Sequence, residues 1–151
     1  MDEGSTIPAV GVTLADGTLL ALGDLPMPAV IYFYPKDVTS GCTREAQEFS
    51  AASEAFAAAG ASVVGISKGG APSKVRFAAR HALTVTLADD DAGAACEAFG
   101  VWGEKSMYGR TYMGIERATF LFDAAGRLAR AWRKVRVPGH VDEVLAAVRA
   151  L

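Results

Sequence analysis

The hydrophobic positions of this chain change their spacing repeatedly, and each change marks an element. Residues 10 to 22, VGVTLADGTLLAL, hold two short apolar pieces joined through Asp16 and Gly17, the pattern of a β-hairpin. AVIYFY (29 to 34) is apolar almost without interruption and rich in β-branched and aromatic residues, which predicts a central strand covered on both faces. Over residues 41 to 59 the spacing becomes helical. Ala46, Phe49, Ser53 and Phe56 share one face, and Gly60 offers a C-terminal stop. ASVVGIS (61 to 67) predicts a second core strand, residues 72 to 81 a helix, TVTLA (84 to 88) a third strand, and DAGAACEAFG (91 to 100) a short helix ended by Gly100. ATFLFD and RLARAWRKV flank Ala124, Ala125 and Gly126 as an antiparallel hairpin, and Val141, Val144, Leu145 and Val148 form the apolar stripe of a last helix. EKSMYGRTYMG (104 to 114) fits neither period. It reads either as a plain connecting loop or as part of a site's rim, where Met107, Tyr108 and Met113 would form an apolar collar.

Alternating strands and helices followed by a hairpin and a helix predict an α/β fold with a mixed central sheet flanked by helices and an N-terminal β-hairpin, for which a thioredoxin-like arrangement is the natural candidate. At 151 residues and 51% hydrophobic content, one domain spanning residues 1 to 151 is expected. The formal net charge is only -2 and no long single-sign run occurs, so neither nucleic acid nor a membrane surface is an expected partner. The acidic opening MDEGSTIPAV lacks a basic then apolar leader, and no apolar run approaches the roughly 18 residues that span a bilayer; a cytoplasmic location is the simplest expectation. Cys42 and Cys96 are too few for a disulfide scaffold. His81 and His140 lack ligand spacing and are expected at helix ends, so no metal and no other cofactor is predicted.

Cys42 carries the candidate chemistry. It lies in PKDVTSGCTRE, between the end of a predicted strand and the start of a predicted helix, where open α/β sheets collect reactive groups. Unpaired N–H groups and the partial positive charge of a helix N-terminus favour a thiolate over a thiol. Pro35 fixes the chain direction on leaving the strand, Gly41 lets backbone pass close to a small ligand, and the Thr39 hydroxyl can cap the helix, reach the sulfur, or do both. Together these are parts of a small oxyanion-type pocket. Trp102 and Trp132 read as core or partial-core anchors.

Pro35, Thr39 and Cys42 also match the PxxxTxxC motif of peroxiredoxins. YFYPKDVTSGCTRE, together with residues 87 to 123, LADDDAGAACEAFGVWGEKSMYGRTYMGIERATFLFD, resembles the bacterioferritin comigratory protein, or peroxiredoxin Q, subfamily. The resemblance implies a thiol peroxidase in which the Cys42 thiolate attacks the O–O bond of hydrogen peroxide or an organic hydroperoxide and becomes a sulfenic acid. It further implies that Arg117 holds the thiolate and the peroxide oxygens, with its planar fork suited to two acceptors at once. Thr39 and the N–H groups around Gly41 and Cys42 would add donors, and Glu45 would orient Arg117; on its own, Glu45 is equally a solvated first-turn acid and Arg117 a strand arginine in an ion pair.

This chain departs from the subfamily at the second cysteine. The position five residues after Cys42 is Gln47, and residues 72 to 81 contain no cysteine. Cys96 is then either a buried core residue or the partner of a Cys42–Cys96 disulfide, which needs Cα atoms about 4.4–6.8 Å apart. A one-cysteine cycle with an external thiol, such as thioredoxin, glutaredoxin or a low-molecular-weight thiol, is the simpler expectation, and a monomer is implied by the resemblance. A non-catalytic redox sensor forming mixed disulfides is the alternative from another class; a thioredoxin-like reductase is disfavoured because Glu45 stands where its second cysteine would be.

Overall fold

The computed structural model of the protein describes residues 1–37 and 39–151. The core strand is β3 (Ala29–Phe33), in which every residue is buried. It pairs in parallel with β4 (Ser62–Ser67), and β4 in turn with β5 (Thr86–Asp89). On its other edge β3 runs antiparallel to β8 (Ala118–Phe122), which pairs with β9 (Leu128–Trp132). The N-terminal hairpin of β1 (Gly11–Leu14) and β2 (Leu19–Ala21) completes the sheet by pairing β1 against β5, giving seven strands in the order β2-β1-β5-β4-β3-β8-β9. This is the expected mixed α/β sheet.

Strand alternation sorts the core into two layers. Val30, Tyr32 and Tyr34 point to one face, where they meet Phe49 of α1 (Ser40–Ala51), Phe56 of α2 (Ser53–Ala58), Phe77 of α3 (Ala71–His81) and the Val141, Val144, Leu145 and Val148 stripe of α5 (His140–Arg149). Ile31 and Phe33 point to the other, against Ala95 and Cys96 of α4 (Ala94–Ala98), Phe99 and Val101. Both faces of β3 are therefore dry, which accounts for its lack of apolar/polar alternation.

Three expectations need correction. The helix expected over residues 41 to 59 is broken at Ala52, whose φ and ψ of -92° and 4° leave the helical well. The Ser53 hydroxyl donates back to the Phe49 carbonyl at 3.3 Å, the kind of local bond that competes with helix continuation. The stretch 104 to 114 is not a loop but most of a two-stranded antiparallel ribbon, β6 (Trp102–Met107) and β7 (Arg110–Ile115), outside the main sheet. Most of its residues are exposed, so no face needed an apolar stripe; its turn is made by Tyr108 and Gly109, both at positive φ (51° and 76°). Lastly, Trp102 is neither a core nor a partial-core anchor. It is 37% exposed, with the Lys68 ammonium 4.6 Å from the ring centroid, whereas Trp132 is nearly buried as expected.

Candidate active site

The register of the sheet builds the site. Phe33 at the end of β3 lies opposite Ala118 at the start of β8, so the loop leaving β3 and the residue just before β8 emerge at the same edge. Cys42 sits in the first turn of α1 and Arg117 directly before β8, and 75 positions of sequence separation reduce to one contact: the Arg117 Nη2 donates to Cys42 Sγ at 3.2 Å. The Arg117 Nη1 donates to Glu45 Oε1 at 2.6 Å, so the guanidinium fork spans sulfur and carboxylate. A Cβ on Gly41 would stand 3.3 Å from Arg117 Nη2. The glycine thus leaves room for the arginine to reach the sulfur, in addition to any room it leaves for a ligand.

Thr39 caps α1. It is extended (φ -82°, ψ 150°), and its Oγ1 accepts from the Cys42 N–H at 3.3 Å while its carbonyl accepts from Thr43 N at 3.0 Å. The Cys42 N–H expected to serve a ligand is therefore already engaged, whereas the Thr39 hydroxyl keeps its own hydrogen to donate. Pro35 is half-buried where the chain leaves β3.

The electrostatics follow from burial. Cys42 is 1% and Glu45 0% exposed, and Glu45 Oε2 has no hydrogen-bond partner among the described residues. Burial raises the Glu45 carboxyl to a pKa of about 7, although the Arg117 charge and hydrogen bond pull the other way. Desolvation works against the Arg117 charge too, but Glu45 and Cys42 outweigh it, so the guanidinium holds its proton more firmly than usual. The phenol of Tyr32, stacked on Phe49 at 4.4 Å, also has no hydrogen-bond partner among the described residues; burial first, then the nearby Glu45 and Cys42, push its pKa well up.

Two features of the site are not apparent in the sequence pattern. Asp37, two residues past Pro35, pins the loop: its carboxylate accepts from Tyr34 Oη (2.6 Å), Ser73 Oγ (2.6 Å) and Lys74 Nζ (2.8 Å), with Lys74 wholly buried. A lysine within the inward stripe of a helix was the only available hint. Lys105 of β6 also comes within electrostatic range of the site; partial burial and then the charge of Arg117 lower its pKa. Met107, Tyr108 and Met113, the residues that would form a collar if the stretch were part of the rim, are all more than half exposed.

Cys96 is elsewhere. It packs in the layer opposite to that of Cys42, its N–H donates to Asp90 Oδ2 at 2.8 Å, and burial, followed by Asp90, pushes its thiol pKa far up. His81 ends α3 and His140 begins α5, as expected; His140 is buried with Nε2 2.7 Å from Thr119 Oγ1. No group of three or more possible metal ligands occurs among the described residues.

Comparison with known proteins adds the decisive observation. The AhpC/TSA family profile matches residues 4–131. The chain belongs to that family and is a peroxiredoxin. The peroxiredoxin Bcp of Xanthomonas campestris is 48% identical over 121 residues, covering 80% of this chain and 76% of that protein; that of Bacillus subtilis is 46% identical over 120 residues, with the same coverage. A solved structure of the Xanthomonas campestris bacterioferritin comigratory protein, a protein described by its alkyl peroxide reduction activity, superimposes with a TM-score of 0.89 at 42% identity, over 99% of this chain and 98% of that one. The peroxiredoxin is thus of the bacterioferritin comigratory protein, or peroxiredoxin Q, subfamily, with its thioredoxin-like fold. It is a thiol-dependent peroxidase, an oxidoreductase acting on peroxide at the expense of a thiol. None of its helices among the described residues is long and apolar enough to cross a membrane.

Proposed function

We propose that Cys42 is the peroxidatic nucleophile, in a one-cysteine cycle that reduces hydrogen peroxide and organic hydroperoxides, alkyl peroxides included. The observation that carries this reading is the direct bond from Arg117 to Cys42 Sγ. The sulfur attacks the terminal peroxide oxygen along the O–O axis; an S–O bond forms, the O–O bond breaks, and the alkoxide leaves as an alcohol after taking a proton, with Cys42 left as a sulfenic acid. Arg117 steadies the thiolate and then the charge that develops on the leaving oxygen, and the Thr39 hydroxyl is a second donor. Glu45 is a positioning residue, holding the guanidinium at the angle that lets its other nitrogen face the sulfur. Pro35 and Gly41 shape the loop and leave space for the arginine.

The one-cysteine cycle is supported by the sheet itself. Cys42 and Cys96 lie in separate apolar layers on opposite faces, and a disulfide between them would require one segment to leave its layer. An external thiol then regenerates Cys42, from thioredoxin, glutaredoxin or a low-molecular-weight thiol. The reading also takes the chain as one domain, acting as a monomer in the cytoplasm; the continuous sheet running from β2 to β9 supports the first of these.

Intact mass spectrometry after one equivalent of hydroperoxide tests the cycle. A gain of one oxygen is expected; a loss of two hydrogens in its place would mean a Cys42–Cys96 bond. In steady-state turnover Cys42→Ser abolishes activity and Cys96→Ser retains most of it. Equal loss in both variants would refute the scheme.

A further inference from the structure

A cleft of about 820 Å³ runs beside the first turns of α1, between that helix and α3. Ser40 and Thr43, on either side of Gly41 and Cys42, form part of its α1 wall, and Gln47 lies one turn further along. Phe77, 3% exposed, supplies an apolar floor. The charge around it is one-sided. Arg44, Arg76 and Arg80 line the cleft against a single carboxylate, Asp37, which is already held by Lys74. Arg44 shares its charge with Glu48 at 2.9 Å, but Arg76 and Arg80 form no ion pair among the described residues. Four positions apart on α3, they stand side by side on one helix face. Like charges so placed weaken a helix unless an anion lies between them.

We propose that this cleft is the docking site of the reductant, and that the reductant is a low-molecular-weight thiol bearing at least two carboxylates. The inference rests on the one-cysteine reading, under which the second sulfur must come from outside. Cys42 is covered in the folded chain, so reduction requires the first turn of α1 to open, and a ligand in the cleft lies directly against that turn. Carboxylates bound by Arg76 and Arg80 would hold the thiol there, with its aliphatic part over Phe77. The thiol sulfur attacks the Cys42 sulfenic sulfur, an S–S bond forms, and the S–O bond breaks with release of water. A second thiolate then attacks the sulfur of the bound thiol, giving the free disulfide and the Cys42 thiolate. Two thiols are oxidised for each sulfenic acid reduced.

The test uses the full-length protein, oxidised with one equivalent of hydrogen peroxide and checked by mass before each run; a loss of two hydrogens at that stage would break the one-cysteine reading, separately from this proposal. The oxidised wild type and a R76E/R80E variant are then mixed with mercaptosuccinate (two carboxylates), 2-mercaptoethanol (neutral) or cysteamine (cationic), and the rate of loss of sulfenic acid is measured. Taking the ratio of variant to wild type for each thiol cancels its intrinsic reactivity. The expected ratio is a fall of roughly tenfold for mercaptosuccinate, near unity for 2-mercaptoethanol and a rise for cysteamine, with the differences shrinking as salt is raised. Peroxide consumption in the first half-reaction should be unchanged, which also shows that the variant is folded, and R76Q/R80Q should fall between the two. Equal ratios for all three thiols would overturn the proposal. So would reduction by thioredoxin that is at least tenfold faster than by mercaptosuccinate at equal concentration and indifferent to the charge reversal, since the partner would then be a protein.

Discussion

Replacing Arg117 by alanine removes both arms of the guanidinium fork, and the two losses are separable. The arm to Cys42 is a charge-assisted hydrogen bond of 3.2 Å. Bonds to charged groups contribute about 1.5–3 kcal/mol, so the second-order rate with peroxide should fall roughly 10- to 150-fold, at 1.4 kcal/mol for each tenfold. A Coulomb estimate at that distance with an effective dielectric of about 20 is about 5 kcal/mol, an upper bound because the Arg117 side chain is 15% exposed and solvent screens part of it. The arm to Glu45 acts on stability. A buried carboxylate stripped of its partner costs about 3–5 kcal/mol if it stays ionised. With a pKa already about 7, Glu45 instead takes up a proton, and the variant should lose stability mainly above neutral pH. Quenched-flow mass spectrometry of sulfenic acid formation measures the rate, and urea denaturation at pH 6 and pH 8 measures the stability. Adding Glu45→Gln should restore stability at pH 8 without restoring the rate, while Arg117→Lys should recover only part of the rate because an ammonium cannot span both acceptors. A rate for Arg117→Ala within twofold of wild type would refute the role given to this contact.

Other outcomes follow from buried groups. Folding raises the Glu45 pKa from 4.5 to about 7, so the folded state binds its proton more readily and this contribution to stability is lost as pH rises through that window. His140 behaves in the opposite sense. Burial lowers its pKa from 6.5 to about 4, so its contribution is lost as pH falls from about 6.5 towards 4. The two slopes oppose one another in the wild type, and Glu45→Gln should leave a protein more stable at pH 7.5 than at pH 5 by on the order of 1 kcal/mol in urea titrations; an unchanged pH profile would show that Glu45 is not buried as described. A methyl group at Gly65 would overlap the Tyr32 ring, so Gly65→Ala should cost about 1–3 kcal/mol in the same assay, and a neutral result would mean that Tyr32 can move off Phe49.

The core elements were legible because their burial leaves a periodic mark. AVIYFY could only be a strand dry on both faces, and Val141, Val144, Leu145 and Val148 could only be one stripe of a helix. Cys42 was legible because its setting is local: a cap at Thr39, a glycine and a helix start lie within four residues. The β6–β7 ribbon left no such mark, since most of its residues face solvent and pairing alone makes it a strand. Nor could the break at Ala52 be read, because a hydroxyl bonding back to a carbonyl leaves the apolar spacing intact.

What local sequence determined, then, was the helix-start setting of Cys42, the candidate sulfur, and the elements around it. The tertiary structure alone decided which groups meet that sulfur and which do not. Pairing of β3 with β8 brought Arg117 to Cys42, Asp37 found its partners on a helix more than thirty residues away, and the sheet set Cys96 on its far side. Periodicity records only whether a residue faces inward. Contact between distant residues depends on strand order and register, which are chosen by the packing of the whole sheet.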